Sequence, residues 1–237
     1  MLYANNIKII QSPDVFSFSL DAVLLAYFAS PPRKKSAKIV DLCAGNGAVG
    51  LFMSKKTAGK IIAVEIQEKL FDMAKRSILL NRLDEQMKVL NIDLAESFKY
   101  LEKDSFDTVT CNPPYFSNLP LSKKNENQYL AIARHEITVN LRKIIEVSSG
   151  LLKMNGKAYF VHRPERAAEL FSLLQENRLS PKKIQLIYPK KDREANMILV
   201  EAIKDGHPNG LRFLPPIIVY DEQNEYTPLL RKMIYGK

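Results

Sequence analysis

Asn112-Pro113-Pro114-Tyr115 carries the clearest chemical content in the chain, and it directly follows an apolar run, Phe106 to Cys111, that reads as a buried strand. An exocyclic amine on an aromatic ring is a poor nucleophile, because its lone pair is delocalised into the ring. Two acceptors aimed at its N–H bonds draw the nitrogen toward tetrahedral geometry and free the lone pair. The Asn112 side-chain oxygen and the Pro113 main-chain carbonyl are such acceptors. Consecutive prolines stiffen the loop that holds them. Tyr115 offers a face on which a base can stack, worth about 1–3 kcal/mol. The set suits attachment of a methyl group to a planar, amide-like nitrogen by positioning. It requires neither a metal nor a dedicated general base. Adenine N6, cytosine N4, guanine N2 and a glutamine side-chain amide all offer such a nitrogen, so the tetrapeptide names an atom type and not a molecule.

A methyl donor needs its own seat. Asp41-Leu42-Cys43-Ala44-Gly45-Asn46-Gly47 runs from a strand-like segment into a helical one. Gly45 and Gly47 let the backbone turn tightly and approach a ligand without Cβ interference. Glu65 ends the next strand-like run, 65 − 41 = 24 positions after Asp41, where a carboxylate can accept both hydroxyls of a ribose. Asp93 follows a third run, within reach of an adenine amine. Gly45 to Gly50 also satisfies G-x-G-x-x-G, so a nicotinamide dinucleotide is a competing ligand. Asp41 weighs against it: its negative charge suits a cationic amino-acid end and repels a pyrophosphate.

The elements that must position these residues follow from periodicity. Lys38 to Asp41, Lys60 to Glu65, Met87 to Ile92, Phe106 to Cys111 and Lys157 to His162 read as strands. Helical patterns lie between them: Leu70, Met73, Ala74, Ser77 and Ile78 share one face, and Ala167, Leu170, Phe171 and Leu174 share another. Pro164 suits the start of that second helix. Strand–helix alternation predicts a parallel sheet covered on both faces. The runs Lys183 to Tyr188 and Met197 to Ile203 have only Pro189 to Asn196 between them, which predicts an antiparallel hairpin. The expected fold is α/β: a Rossmann-like, seven-stranded, mostly parallel sheet with helices on both faces and a C-terminal antiparallel hairpin. One domain over 1–237 is expected, with an N-terminal segment (1–37) whose stretch Phe16 to Ala29 is an apolar helix over the sheet, a core (38–204) and a C-terminal arm (205–237) ending in a short helix.

Composition narrows the partners. With 46% hydrophobic residues the 237-residue chain can bury a real core, and no apolar run approaches a bilayer span. Met1 to Gln11 lacks the pattern of a signal peptide. Two cysteines, Cys43 and Cys111, exclude a disulfide framework and a zinc cluster, and point to a reduced, cytoplasmic setting. Net charge is +9, from 35 Lys and Arg against 26 Asp and Glu. The basic residues cluster at Arg33-Lys34-Lys35, Lys55-Lys56, Lys123-Lys124, Lys182-Lys183 and Lys190-Lys191 with Arg193. That balance points to nucleic acid, or to a merely solvated basic surface. Arg134 could contact phosphate or close an ion pair inside its loop. His135, His162 and His207 read as structural or surface histidines.

The donor loop, the acids at successive strand ends and the clamp together resemble the class I S-adenosylmethionine-dependent methyltransferases over roughly Ile39 to Ile203. The clamp matches their amino-methyltransferase motif [DN]-P-P-[FYW], and Cys43 stands where that family commonly has glycine. Gln11, Phe16-Ser17-Phe18-Ser19-Leu20-Asp21-Ala22, the clamp followed by Phe116, and Ala133-Arg134-His135-Glu136 resemble the bacterial tRNA1(Val) adenine-N6-methyltransferase family. This second resemblance implies S-adenosylmethionine as donor, held by Asp41, Gly45, Asn46, Gly47, Glu65, Asp93 and Asn112. Its N-terminal segment would cap the donor, with Phe18 and Asp21 nearby. It further implies methylation of an adenine beside the anticodon of a tRNA. Within enzymes the rivals are glutamine methylation of a release factor, disfavoured by the short segment ahead of the first strand, and methylation of an rRNA base. A non-catalytic RNA-binding module is the rival of another class.

Overall fold

The computed structural model describes residues 7–12, 20–113 and 140–236. Nine strands form one sheet: β1 (Lys38–Leu42), β2 (Lys60–Glu65), β3 (Met87–Asn91), β4 (Phe106–Cys111), β5 (Leu152–His162), β6 (Leu179–Tyr188), β7 (Met197–Lys204), β8 (Arg212–Phe213) and β9 (Ile217–Ile218). Their order is β3-β2-β1-β4-β5-β7-β6-β8, with β9 also on β6. β3, β2, β1, β4 and β5 pair in parallel. β7 is antiparallel to both β5 and β6. The seven anticipated strands are present, and the terminal pair is antiparallel as its short link required. The residues after Asp205 add β8 and β9, which pair in parallel with β6. Two-residue strands carry no period that a sequence could display.

β1 and β4 are buried on both faces, as central parallel strands are, and bury Asp41, Asp107, Thr108 and Thr110 along with their apolar residues. Alternate side chains feed two cores. Ile39, Tyr159, Val161 and Leu199 point into one, shared with α1 (Leu20–Phe28), α2 (Ala48–Met53) and the final helix α6 (Pro228–Tyr235). Val40, Phe160, Ile198 and Val200 point into the other, under α4 (Leu141–Leu151) and α5 (Ala167–Glu176). α3 (Glu68–Leu80) joins the first face through Ile78 and turns Leu70 and Met73 toward Ile10. Each large aliphatic side chain so buried is worth about 1.5–3 kcal/mol. α1 covers the sheet, and its Phe28 ring meets Tyr159 edge-on at 5.9 Å.

Strand order places the chemistry. Successive strands move outward from β1 to β2 and β3, and the chain then returns to lay β4 on the other side of β1. That reversal opens a crevice beyond the carboxyl ends of β1 and β4, the position where open α/β sheets take ligands.

Candidate active site

β1 leads into the glycine loop beside this crevice. Cys43 has φ 54°, Gly45 φ 60° and Gly47 φ 82°. Ala44 N–H bonds to the Val64 carbonyl at 3.0 Å, pinning the loop to the end of β2. Gly47 is the N-cap of α2, and a Cβ there would stand 3.2 Å from the Ala74 Cβ of α3. A Cβ on Gly45 would meet nothing within 4 Å. Gly45 is therefore needed for its backbone angle, and the space beside it is open to a ligand.

Glu65 closes over that loop. Its Oε2 accepts the Gly45 N–H at 2.7 Å and its Oε1 accepts the Gln67 N–H at 2.8 Å. Burial pushes its carboxyl above the ordinary range, with the Gln67, Gly45 and Ile66 amides pulling the other way. Each oxygen keeps a further lone pair, so the carboxylate can still accept two hydroxyls of a ribose. Asn91, at the end of β3, donates its Nδ2 to the Glu65 and Ile66 carbonyls at 2.9 and 3.0 Å, and fixes the backbone that carries this acid. Asp93 is half-buried and caps a 3-10 turn, Leu94–Lys99, by accepting the Ala95 N–H at 2.8 Å.

Asp41 lies deeper than its reading as a free anion for a cationic ligand implies. It is fully buried; its Oδ1 accepts from Thr110 Oγ1 at 2.7 Å and its Oδ2 from Gly50 N–H at 3.2 Å. Burial pushes its carboxyl up to about 7, against the opposing pull of those two donors and with repulsion from Glu65 added. Asp41 thus ties β1 to β4 and to α2. Asn46 is also buried, and donates its Nδ2 to the Ile10 carbonyl at 3.2 Å. Residues 7–12 form a strap along α3: Lys8 exchanges two hydrogen bonds with the Asn81 side chain, and Ile10 N–H bonds to Ser77 Oγ.

The clamp rises beside this loop. Leu42 and Cys111 are register partners, so Asn112 and Pro113 leave β4 alongside Cys43 and Ala44. Asn112 is half-buried and Pro113 buried. Pro114, Tyr115 and Phe18 lie outside the described residues, as do Lys123, Lys124, Arg134 and His135. Burial and the neighbouring Cys43 thiol push the Cys111 thiol well above its usual range. His162, at the carboxyl end of β5, is buried, and its pKa is pushed down to about 4 by that burial and by Arg166. Its Nδ1 accepts the Arg163 N–H.

Residues that the sequence reading passed over are Thr110, Asn91 and Asn81; Ser77 was placed on its helix face without its bond to Ile10. Thr110 had a signal: a polar side chain on a strand otherwise written for burial must find a buried partner. The basic clusters separate. Lys182 and Lys183 lie in the middle of β6, where Lys182 is bound to the His207 and Asn209 carbonyls and Lys183 to Glu201. Lys190, Lys191 and Arg193 follow β6 at the carboxyl edge, since β6 runs in the direction of β5. Among the described residues no group of His, Cys, Asp and Glu could hold a metal ion, and no helix is long and apolar enough to cross a membrane.

Known proteins share this organisation. The family profile described as the methyltransferase small domain matches residues 6–177. A tRNA1(Val) (adenine(37)-N6)-methyltransferase of Shewanella sp. (strain MR-4) is 26% identical over 162 residues, covering 68% of this chain and 66% of that protein, just short of two thirds of its length. The protein of the same name from Parabacteroides distasonis is 27% identical over 184 residues, covering 76% of this chain and 74% of its own. Among solved structures, a predicted O-methyltransferase from Agrobacterium tumefaciens superposes with a TM-score of 0.70 at 25% identity, over 90% of this chain and 94% of that one.

Proposed function

The chain belongs to the methyltransferase small domain family, and from that premise we propose that it methylates the exocyclic N6 of an adenine in tRNA, beside the anticodon, with S-adenosylmethionine as donor. The observation that carries this reading is the register of β1 on β4, which delivers the Asn112-Pro113 acceptors next to the glycine loop at the switch point of the sheet. The residues present suit the donor: Gly45 leaves room for it, and the Glu65 carboxylate faces the same loop with lone pairs to spare. Bound there, S-adenosylmethionine supplies a methyl group already activated on a sulfonium.

The protein's own part is placement. Glu65 accepts the ribose hydroxyls and Asp93 the adenine amine of the donor, while Gly45 and Gly47 let the backbone approach. Asp41 and Asn46 hold the loop from behind, one through Thr110 and Gly50, the other through the Ile10 strap. Asn112 Oδ1 and the Pro113 carbonyl accept the two N–H bonds of the target amine, and Tyr115 stacks on the target base. Lys190, Lys191 and Arg193 stand at the same edge of the sheet, where a polyanion would pass.

Labelled S-adenosylmethionine offered side by side to tRNA, rRNA, DNA and a release factor tests the reading, with the product identified by mass spectrometry. N6-methyladenosine in tRNA is the expected product. Methylglutamine in the release factor, or no transfer to any tRNA, would overturn it. Asn112→Ala should reduce turnover by at least 100-fold while leaving donor affinity within about threefold; binding of tRNA with no turnover in either protein would make the chain a binding module.

A further inference from the structure

Two basic clusters twenty residues apart in the sequence meet in space, far from the crevice. Residues 30–33 lead into β1 and residues 55–58 lead into β2, so both lie at the amino ends of the parallel strands. The two loops are joined: Ala58 N–H bonds to the Arg33 carbonyl at 3.2 Å, and Thr57 Oγ1 donates to the Pro32 carbonyl at 2.5 Å. Between them is a cavity of about 530 Å³ whose walls include Arg33, Lys55, Lys56, Thr57 and Ala58. Among the described residues no carboxylate lines it.

The cations around it differ in what holds them. Lys56 is committed to the fold: its Nζ donates to the Ala26, Tyr27 and Ala29 carbonyls and closes the end of α1. Its charge still stands in the cavity wall, and burial pushes its pKa down to about 8, so an anion beside it would be welcome. Neighbouring lysines are neutralised by acids: Lys34 by Asp107 and Lys38 by Glu102. Arg33 and Lys55 are exposed, and among the described residues neither forms an ion pair. Two uncommitted cations and a half-buried third, held only by neutral carbonyls, therefore face one concave space. A tetrahedral oxyanion fits both the charge and the fork of an arginine.

We propose that this cavity is a phosphate-binding site in which Arg33 and Lys55 hold a phosphate group, drawn either from the backbone of a bound RNA or from free inorganic phosphate. β1 alone separates it from the donor loop by roughly 16 Å, so a phosphate here does not touch the reacting atoms. The RNA source rests on the tRNA reading above; the phosphate chemistry does not.

The experiment uses the full chain, the single variants Arg33→Gln and Lys55→Gln, their combination, and Lys35→Gln as a charge-matched control outside the cavity. Thermal unfolding is followed in inorganic phosphate and in chloride of equal ionic strength. Phosphate stabilises folded proteins generally by exclusion from their surface, so the site is read as the excess: the native protein and Lys35→Gln should gain a few degrees more from phosphate over chloride than the double variant gains. An equal gain from phosphate in the native protein and in the double variant would overturn the site. Binding of tRNA across a salt series then separates the sources. For a backbone phosphate, the double variant should bind about 10-fold more weakly and its log–log salt slope should fall by about 1, since both side chains hold one phosphate. An unchanged slope with phosphate protection retained in the native protein assigns the site to free phosphate. Loss of protection in the variant, in a protein that methylates no tRNA, would keep the site and discard the tRNA reading.

Discussion

Asp41 holds a carboxylate where no water reaches it, between Thr110 and Gly50, and that has a measurable cost in pH dependence. Its pKa stands near 7 in the folded protein against 3.8 ordinarily. Between about pH 4 and 7 the folded chain keeps a proton that the unfolded chain has released, so stability present below pH 4 is lost as pH rises through 7. His162, pushed down to about 4, acts in the opposite sense: the fold refuses a proton that the unfolded chain takes below about 6.5. The difference between wild type and Asp41→Asn isolates the first effect. Urea denaturation from pH 4 to 8 should show the variant gaining on wild type as pH rises; parallel curves would mean that Asp41 is not titrating there. Cys43 tests backbone strain. At φ 54° it pays about 1 kcal/mol that glycine would not, which the extra freedom of an unfolded glycine roughly offsets. Cys43→Gly should stay within about 1 kcal/mol of wild type, and the β-branched Cys43→Val should lose more than that, read as urea midpoints at constant m-value. Residues at strand ends, such as Gly45, Glu65, Asp93 and Asn112, were legible because local pattern alone locates a strand's end. Asn91 was not, because it acts on a partner across a strand pairing, 26 residues away; Thr110 signalled only that it needed a buried partner, and that partner, Asp41, lies 69 residues away.

At the scale of elements, the strap of residues 7–12 connects α3 to the glycine loop through few bonds. Asn81 takes both backbone groups of Lys8 and also the Ser77 carbonyl, in a partly exposed setting. Asn81→Ala should cost about 1 kcal/mol, and its effect should be local. Hydrogen exchange at Lys8 and Ile10 should quicken while the amides of β1 and β4 keep their protection; uniform loss across the sheet would refute a separable strap. The central strands were readable because short, β-branched and mostly apolar stretches mark strands buried on both faces, even with Asp41 and Thr110 among them. The outer ones were only partly readable. β5 begins at Leu152, ahead of the polar stretch Lys153 to Lys157, with an irregular register against β4. β6 admits Pro181 where its pairing with β7 shifts register. In both cases pairing with a neighbour overrides local propensity.

For the whole molecule, a ligand that binds only the folded chain raises its stability by mass action. S-adenosylhomocysteine at 100 times its dissociation constant should add about 2.7 kcal/mol, which for a chain of this size is about 5–10 °C in melting temperature. Calorimetry should find that shift in wild type and a much smaller one in Glu65→Ala, whose missing carboxylate would otherwise hold the ribose. The strand order also bears on how the chain is made. β7 stands between β5 and β6, yet it is translated after both. During synthesis the edge of β5 therefore stays open, and β6 has no place in the sheet, until Lys204 has left the ribosome. A nascent chain stopped near Asn196 would display two unmatched strand edges at once, the kind of surface that chaperones bind and that aggregates grow from. Joining β6 to this sheet is an insertion between strands already made, and only the two short strands β8 and β9 are added at the margin afterwards.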